Sequence, residues 1–121
     1  MTIETRNARI TGTTLGVEDH GIFSCMLHLD YGGAMQGFGG FSLDEPIKDA
    51  NGKFLRRQGS ALGAEFLMRV LAVTGASSWE KLPGTPVRVR ADYNKVYAIG
   101  HYIEERWFYP EHDLKYMTEA R

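Results

Sequence analysis

The stretch GIFSCMLHLDYGGAMQGFGGFSL, residues 21–43, decides the fold because it contains a complete β-hairpin pattern. In its first half apolar and polar side chains alternate, which predicts a strand with one buried face. The predicted buried face comprises Phe23, Cys25, Leu27, Leu29 and Tyr31. Gly32 and Gly33 then supply a tight turn, since glycine readily adopts the positive φ angles of hairpin turns. The second half is therefore predicted to return as the antiparallel partner strand.

The rest of the chain predicts an α+β fold. Residues 7–17 are rich in β-branched side chains interrupted by glycines, which indicates a first strand with a bulge. Residues 44–58 are polar and broken by Pro46 and Asn51-Gly52, so we expect an exposed loop with a small hairpin turn. Residues 86–107 predict two further strands around a turn near Tyr93 and Asn94.

The principal helix is predicted at about residues 60–74, with Ser60 as its N-cap and Gly75 at its end. A short helix is expected in SSWEKLPG, residues 77–84, where Ser77 and Glu80 have capping-box spacing. A helical tail is predicted to start at Pro110. The expected architecture is a mainly antiparallel twisted sheet with the principal helix packed on one face.

Length and composition favour one domain, residues 1–121, that binds a ligand. The chain has 43% hydrophobic and 24% charged residues, which is ordinary for a globular protein. Its net charge of −1 provides no basic field for long nucleic acid. The lone cysteine, Cys25, precludes an internal disulfide, and no segment resembles a membrane span or a secretion signal. We therefore expect a cytoplasmic protein without a membrane partner.

The glycine-rich return strand is the first candidate for ligand contact. Strict alternation puts Phe38 on one face of this strand and its neighbours Gly37 and Gly39 on the other face. Glycines inside a strand indicate a bulge, close packing of another group, or close approach of a ligand. The order GGAMQGFGG matches neither a phosphate loop nor a dinucleotide fingerprint. On the ligand interpretation, Phe38 stacks on a planar group beside a bare backbone.

The strands near the C-terminus carry several cations with an aromatic ring. With the turn at Tyr93-Asn94, Arg90 is predicted to lie opposite Tyr97 and Arg88 opposite Ile99. One face then carries Arg88, Arg90, Lys95, Tyr97 and His101. Arginine binds phosphate in a bidentate manner and rings stack on bases, so this face suits an anionic planar ligand. The alternative is a solvated outer face whose charges maintain solubility.

Catalytic patterns are weak. Glu18, Asp19 and His20 are neighbours in a predicted turn, and no second cluster stands at metal-ligand spacing. Cys25 and His28 fall on opposite faces of their strand, which disfavours a Cys-His nucleophile pair. We expect no catalytic residues, no bound metal and no cofactor. RWFYP, residues 106–110, is typical of a core or subunit interface, or of a segment that lines a ligand pocket.

Three segments carry a resemblance to a known family. They are LGVEDHGIFSCMLHLDYGGAMQGFGGFSLD (15–44), SALGAEFLMRVLAVTGASSWEKLPGTPVRVR (60–90) and AIGHYIEERWF (98–108). With them the chain, from about Arg9 to Phe108, resembles the first-described Thoeris anti-defence sponge family of small phage proteins. The resemblance implies a protein that binds cyclic ADP-ribose isomers, keeps them intact, and assembles into dimers or hexamers. It also implies a possible second site for cyclic oligonucleotides.

The working hypothesis is a homo-oligomeric phage protein of the host cytoplasm that sequesters a cyclic nucleotide without cleaving it. The alternatives are an inhibitor that binds a host protein, and a small cyclic-nucleotide-degrading enzyme that uses His20, His101 or Glu18. The ligand-binding residues are chosen for their chemistry and not by alignment with the family. They are Gly37, Phe38, Gly39, Arg57, Arg88, Arg90, Asn94, Tyr97, His101 and Trp107.

Overall fold

The computed structural model describes residues 2–119 and has the predicted α+β architecture. The strands are β1 Glu4–Asp19, β2 Ile22–Asp30, β3 Met35–Ser42, β4 Asp44–Lys48, β5 Phe54–Gly59, β6 Pro86–Ala91, β7 Val96–His101 and β8 Trp107–Phe108. The helices are α1 Ala61–Thr74, a 3₁₀ turn Trp79–Lys81, α2 Pro110–Asp113 and α3 Lys115–Glu119. The helical tail starts at Pro110 as predicted, and its residues 120 and 121 lie outside the described residues. No helix within residues 2–119 has the length and apolar character needed to cross a membrane.

Six strands form one antiparallel sheet in the order β3-β2-β1-β6-β7-β8. The sheet curls strongly, so that β3 at one edge comes into contact with β7 near the other edge. The inner face carries the apolar core, including Leu27, Leu29, Val87 and Val89. The outer face carries the alternate residues of the same strands. Since the strands twist and roll around the core, one end of the roll opens as a mouth between β1, β3 and the β6–β7 turn.

Helix α1 covers the inner face of the rolled sheet. Ser60 is its N-cap, and the Ser60 hydroxyl accepts a hydrogen bond from the Gly63 amide at 3.0 Å. Gly75 ends the helix in the left-handed conformation, with a φ of 80°. Phe66 and Val70, on the side toward the sheet, are fully buried. Both predicted caps of this helix are confirmed.

Strand β3 contains a bulge that changes which side chains face the core. Ser24 pairs with Ser42 and Met26 with Gly39, so β3 has one extra residue across this interval. Phe38 and Phe41 consequently both face inward, where Phe38 lies 6.0 Å and Phe41 5.5 Å from the Phe66 ring centre. The predicted strict alternation, with Phe38 and Phe41 on opposite faces, is wrong because the bulge resets it.

A second bulge shifts the register between β6 and β7. Arg90 pairs with Ala98 and Arg88 with Gly100, one residue beyond the predicted partners Tyr97 and Ile99. Val87 pairs with His101, so His101 is on the opposite side of the sheet from Arg88 and Arg90. The expected common face of Arg88, Arg90, Tyr97 and His101 is therefore wrong.

Residues 44–59 form a hairpin of two strands, β4 and β5, where the sequence analysis expected mainly a loop. An ion pair stabilises its base: Arg57 Nε and Nη2 donate to the two carboxylate oxygens of Asp44, each at 2.8 Å. The Asp44 side chain is only 5% exposed, and its Oδ2 also accepts from the Phe23 amide at 3.0 Å. The Arg57 guanidinium holds the pKa of Asp44 well below its usual range.

Helix α1 passes close to the backbone of the β3–β4 junction at Gly63. A β-carbon on Gly63 overlaps the Leu43 carbonyl group. We predict that Gly63→Ala lowers the melting temperature by about 10 °C, because the backbone clash outweighs the roughly 1 kcal/mol gained from helix propensity. Gly59→Ala is the matched control, since a β-carbon there meets no atom within 4 Å. Equal melting temperatures for the two variants contradict this packing.

The Asp44–Arg57 pair predicts a specific loss of stability in acid. Because the carboxyl pKa is depressed in the folded state, its contribution is complete above the unfolded pKa of about 3.9 and is lost as the pH falls below it. We expect the urea midpoint of Asp44→Asn to lie below that of the wild type at pH 7, and this difference to shrink in strong acid. Glu18→Gln, at the exposed β1–β2 hairpin, is the control. A difference that does not change with pH contradicts the assignment.

Candidate ligand-binding site

Arg88 is a structural residue of the outer face. Its Nε donates to the His101 carbonyl at 2.8 Å, its Nη2 to the Glu104 carbonyl at 2.8 Å, and its Nη1 to the Glu105 carboxylate at 2.9 Å. The pKa of Glu105 is lowered, first because Arg88 hydrogen-bonds to it. Arg88 thus secures the turn that leads from β7 to β8. Three of its five N–H donors are occupied in this way, so it is poorly suited to the predicted bidentate phosphate contact.

Trp107 joins Arg88 and Arg90 in a cluster on the outer face. The two guanidinium carbons lie 4.8 and 5.9 Å from the Trp107 ring centre. The ring packs on Gly100, where a β-carbon would lie 2.6 Å from it. The sequence analysis placed Arg88 and Arg90 on one face and named Trp107 only in the list of ligand-binding residues. None of the three residues lines any of the three cavities described below.

The glycines of β3 make room for protein atoms. A β-carbon on Gly37 overlaps the Met26 thioether, and one on Gly39 lies within 2.5 Å of the Cys25 carbonyl oxygen. Phe38 is 1% exposed, so its ring cannot stack on a ligand as predicted. Close packing and a bulge were the two structural alternatives considered for these glycines. Together they account for Gly37 and Gly39.

Two further predicted residues have structural partners at separate places. Arg57 is committed to Asp44, as described above. His101 accepts hydrogen bonds on Nδ1 from the amides of Ile103 and Glu104, at 3.1 and 2.9 Å, which orders the turn after β7. Neither side chain lies with the outer-face cluster of Arg88, Arg90 and Trp107.

Asp92 organises the β6–β7 turn, which contains Asn94, and it also binds Tyr97 of β7. One Asp92 carboxylate oxygen accepts from the amides of Asn94 and Lys95, at 2.7 and 3.0 Å. The other accepts from the Tyr97 hydroxyl at 2.6 Å. These bonds to the charged form lower the pKa of Asp92, the Tyr97 bond being the largest cause. The turn is therefore held in one conformation before any ligand arrives.

A narrow cleft of about 190 Å³ runs along the seam between β3 and β7. It brings together Gly37, Phe38, Gly39 and Tyr97, which the sequence analysis had assigned to one ligand. The cation at this seam, Lys95, is already paired with Glu111 at 2.6 Å. The cleft is smaller than the roughly 300–1,000 Å³ usual for ligand pockets.

A second groove, of about 410 Å³, separates α1 from the C-terminal helices. Phe41, Leu62, Phe66, Pro110 and Leu114 form its apolar part. Its lining is better matched to an apolar group than to an anion.

The largest of these three cavities, about 680 Å³, occupies the mouth of the rolled sheet; we call it the mouth cavity. Its polar and aromatic lining residues are Thr2, Glu4, Arg6, Tyr31, Gln36, Asp92 and Tyr93. The sequence analysis selected none of these. The sequence pattern could have pointed to Tyr31 as a site residue, since this aromatic residue ends the alternating strand beside the turn. No sequence pattern pointed to Arg6 or Gln36, because the curl of the sheet brings them together.

Arg6 and Tyr31 form a cation–π pair in the mouth cavity. The Arg6 guanidinium carbon lies 5.6 Å from the Tyr31 ring centre, and the Arg6 side chain is 49% exposed. Burial raises the pKa of the Tyr31 hydroxyl, and the charge of Arg6 opposes that rise. Glu4 approaches Arg6 only to 3.9 Å, so this exposed ion pair is weak. Arg6 therefore remains available to an anion.

Gln36 provides an unsatisfied acceptor beside this pair. Its Nε2 donates to the carbonyl oxygens of Asp92 and Tyr93, both at 3.4 Å, which joins β3 to the β6–β7 turn. Its Oε1 is the one buried side-chain polar atom without a hydrogen-bond partner among the residues that the structure describes. Such an atom costs roughly 1–3 kcal/mol, which a donor on a ligand would offset.

His20, considered for acid–base chemistry, lies at the exposed tip of the β1–β2 hairpin and bonds to Asp19 at 2.7 Å. Across residues 2–119, no three side chains of the His, Cys, Asp and Glu types are grouped so that they could hold a metal ion. Burial raises the pKa of the Cys25 thiol to about 12, so it is a poor nucleophile at neutral pH.

Comparison with protein-family profiles, with curated proteins and with solved structures gives no match.

Proposed function

We propose that this protein binds a small anionic nucleotide in the mouth cavity and holds it without cleaving it. The ligand class is that of the cyclic ADP-ribose isomers, which the family resemblance implies. The main support is the combination of an available arginine, an aromatic ring and an unsatisfied acceptor around one cavity of about 680 Å³. That volume lies within the range usual for small-molecule sites.

Two parts of the ligand, the pyrophosphate and the base, have complementary groups in the mouth cavity. Arg6 offers charged donors to a pyrophosphate, for which guanidinium geometry is well suited. Tyr93, which is 88% exposed at the rim, offers a ring that can stack on a base. The Asp92 carboxylate is consumed by the turn hydrogen bonds and by Tyr97, which reduces its repulsion of an anion.

Rigidity of the site favours tight binding. A protein that sequesters a messenger at nanomolar levels needs about −12 kcal/mol of binding free energy. One wall of the mouth cavity is a turn held by Asp92 and Gln36, and the opposite wall is sheet. Walls that are already ordered reduce the entropy lost on binding.

Two further features of the proposal are its setting and its assembly. We place the protein in the host bacterial cytoplasm, as a phage immune-evasion protein, and as a homo-oligomer. A second copy that covers the open mouth would enclose the ligand further. Both features rest on the resemblance and on the sequence composition.

Calorimetry with cyclic ADP-ribose isomers tests the proposed site. We predict that Arg6→Ala weakens binding by about 10- to 100-fold, since a charged hydrogen bond contributes about 1.5–3 kcal/mol. Arg56→Ala is the matched control, because Arg56 is an exposed arginine on the β4–β5 hairpin. Equal loss in both variants would indicate a general charge effect. Absence of binding by the wild type at micromolar protein overturns the proposal and favours the host-protein inhibitor.

Recovery of the ligand separates holding from hydrolysis. We expect that, after hours of incubation and heat denaturation, mass spectrometry finds the bound nucleotide released with its original mass and in its original amount. Steady disappearance of the ligand would instead support the enzyme alternative. In that case His20→Ala and His101→Ala, compared with the wild type, would identify an acid–base residue.

A further inference from the structure

We infer that Gln36 selects ligands that present the free amino group of adenine to the mouth cavity. The inference rests on the proposed function, because it names the part of the nucleotide that this same site reads. It makes Gln36 a specificity-determining residue and leaves charge recognition to Arg6.

The position of Gln36 follows from the pairing of β3 with β2. Gln36 pairs with Leu29, a buried residue of the inner face, so the carboxamide extends into the roll and not onto the outer surface. Its Nε2 faces two carbonyl oxygens, those of Asp92 and Tyr93, and this orientation leaves Oε1 as an acceptor. Oε1 itself is buried, and both Nε2 bonds are 3.4 Å long, at the outer limit for a hydrogen bond, so binding requires the terminal amide to rotate until Oε1 meets the ligand.

The groups gathered at this point are acceptors. They are Gln36 Oε1 and the carbonyl oxygens of Asp92 and Tyr93. An exocyclic amino group on a purine carries two N–H donors and accepts hydrogen bonds poorly, so it complements such a set. A ligand that lacks this group leaves Oε1 unsatisfied, and one with a carbonyl oxygen at the same position adds repulsion between acceptors.

The test compares two ligands that differ only in the amino group. The first is the cyclic ADP-ribose isomer that is closed through its two riboses, in which the adenine amino group is free. The second is the same compound with purine in place of adenine. Binding of both to the wild type, Gln36→Met and Gln58→Met is measured by calorimetry, with a melting curve for each protein. Gln58→Met is the control because Gln58 is an exposed glutamine on β5.

We expect the wild type and Gln58→Met to bind the adenine compound about tenfold more tightly than the purine compound. Gln36→Met is expected to bind both equally, at the level of the wild type with the purine compound. Equal binding of the two compounds by the wild type overturns the inference, even where Gln36→Met does not fold, and leaves the proposed function intact. A preference that persists in Gln36→Met also overturns it. If the wild type binds neither compound, the proposed function fails and the inference fails with it.

Discussion

Phe66 of α1 contacts three phenylalanine rings at once, and the curled shape of the sheet depends on this cluster. Phe38, Phe41 and Phe108 lie with their ring centres 6.0, 5.5 and 5.6 Å from that of Phe66. Phe38 and Phe41 come from the edge strand β3, and Phe108 comes from β8 at the other edge. Because rings of both edges must reach one helix, the sheet rolls. The bulge in β3 is what allows both of its rings to face inward.

The roll also determines where the fold leaves open cavities. It closes the seam between β3 and β7 to a narrow cleft and leaves the wider mouth at the end where Gln36 meets the β6–β7 turn. The arginines follow the same division between the closed and the open parts of the fold. Arg57 and Arg88 are committed to nearby carboxylates and carbonyls, whereas Arg6, at the mouth, has only a distant partner in Glu4. Partly buried cations need partners in the protein, so charge available to a ligand is found where solvent still reaches.

The predicted site residues show how far alternation alone can identify a binding surface. Arg88, Arg90 and Trp107 do lie together, since they depend on a short hairpin and one more strand. His101 was placed on the wrong face, because a bulge of one residue between the turn and this side chain reverses the face. Phe38 lies before the bulge of β3, and its ring is buried in the core. The mouth residues Arg6, Tyr31 and Gln36 come from three strands, and no local pattern joins them. The sequence predicted a binding protein with cationic and aromatic groups, which stays a prediction, and it gave no indication of the mouth cavity.

The sequence by itself determined the elements whose signals are local. Alternation in residues 22–31, paired glycines at 32 and 33, and the caps Ser60 and Gly75 each require only a few neighbouring residues, so the β1–β2–β3 meander and α1 follow from them. Only the tertiary structure decided the bulges in the β2–β3 and β6–β7 pairings, the identity of the inner face of β3 and the roll of the sheet. Those features arise because α1 packs against both edges of the sheet, and the free energy of burying its aromatic face overrides simple alternation of side chains. The mouth cavity is a product of that packing.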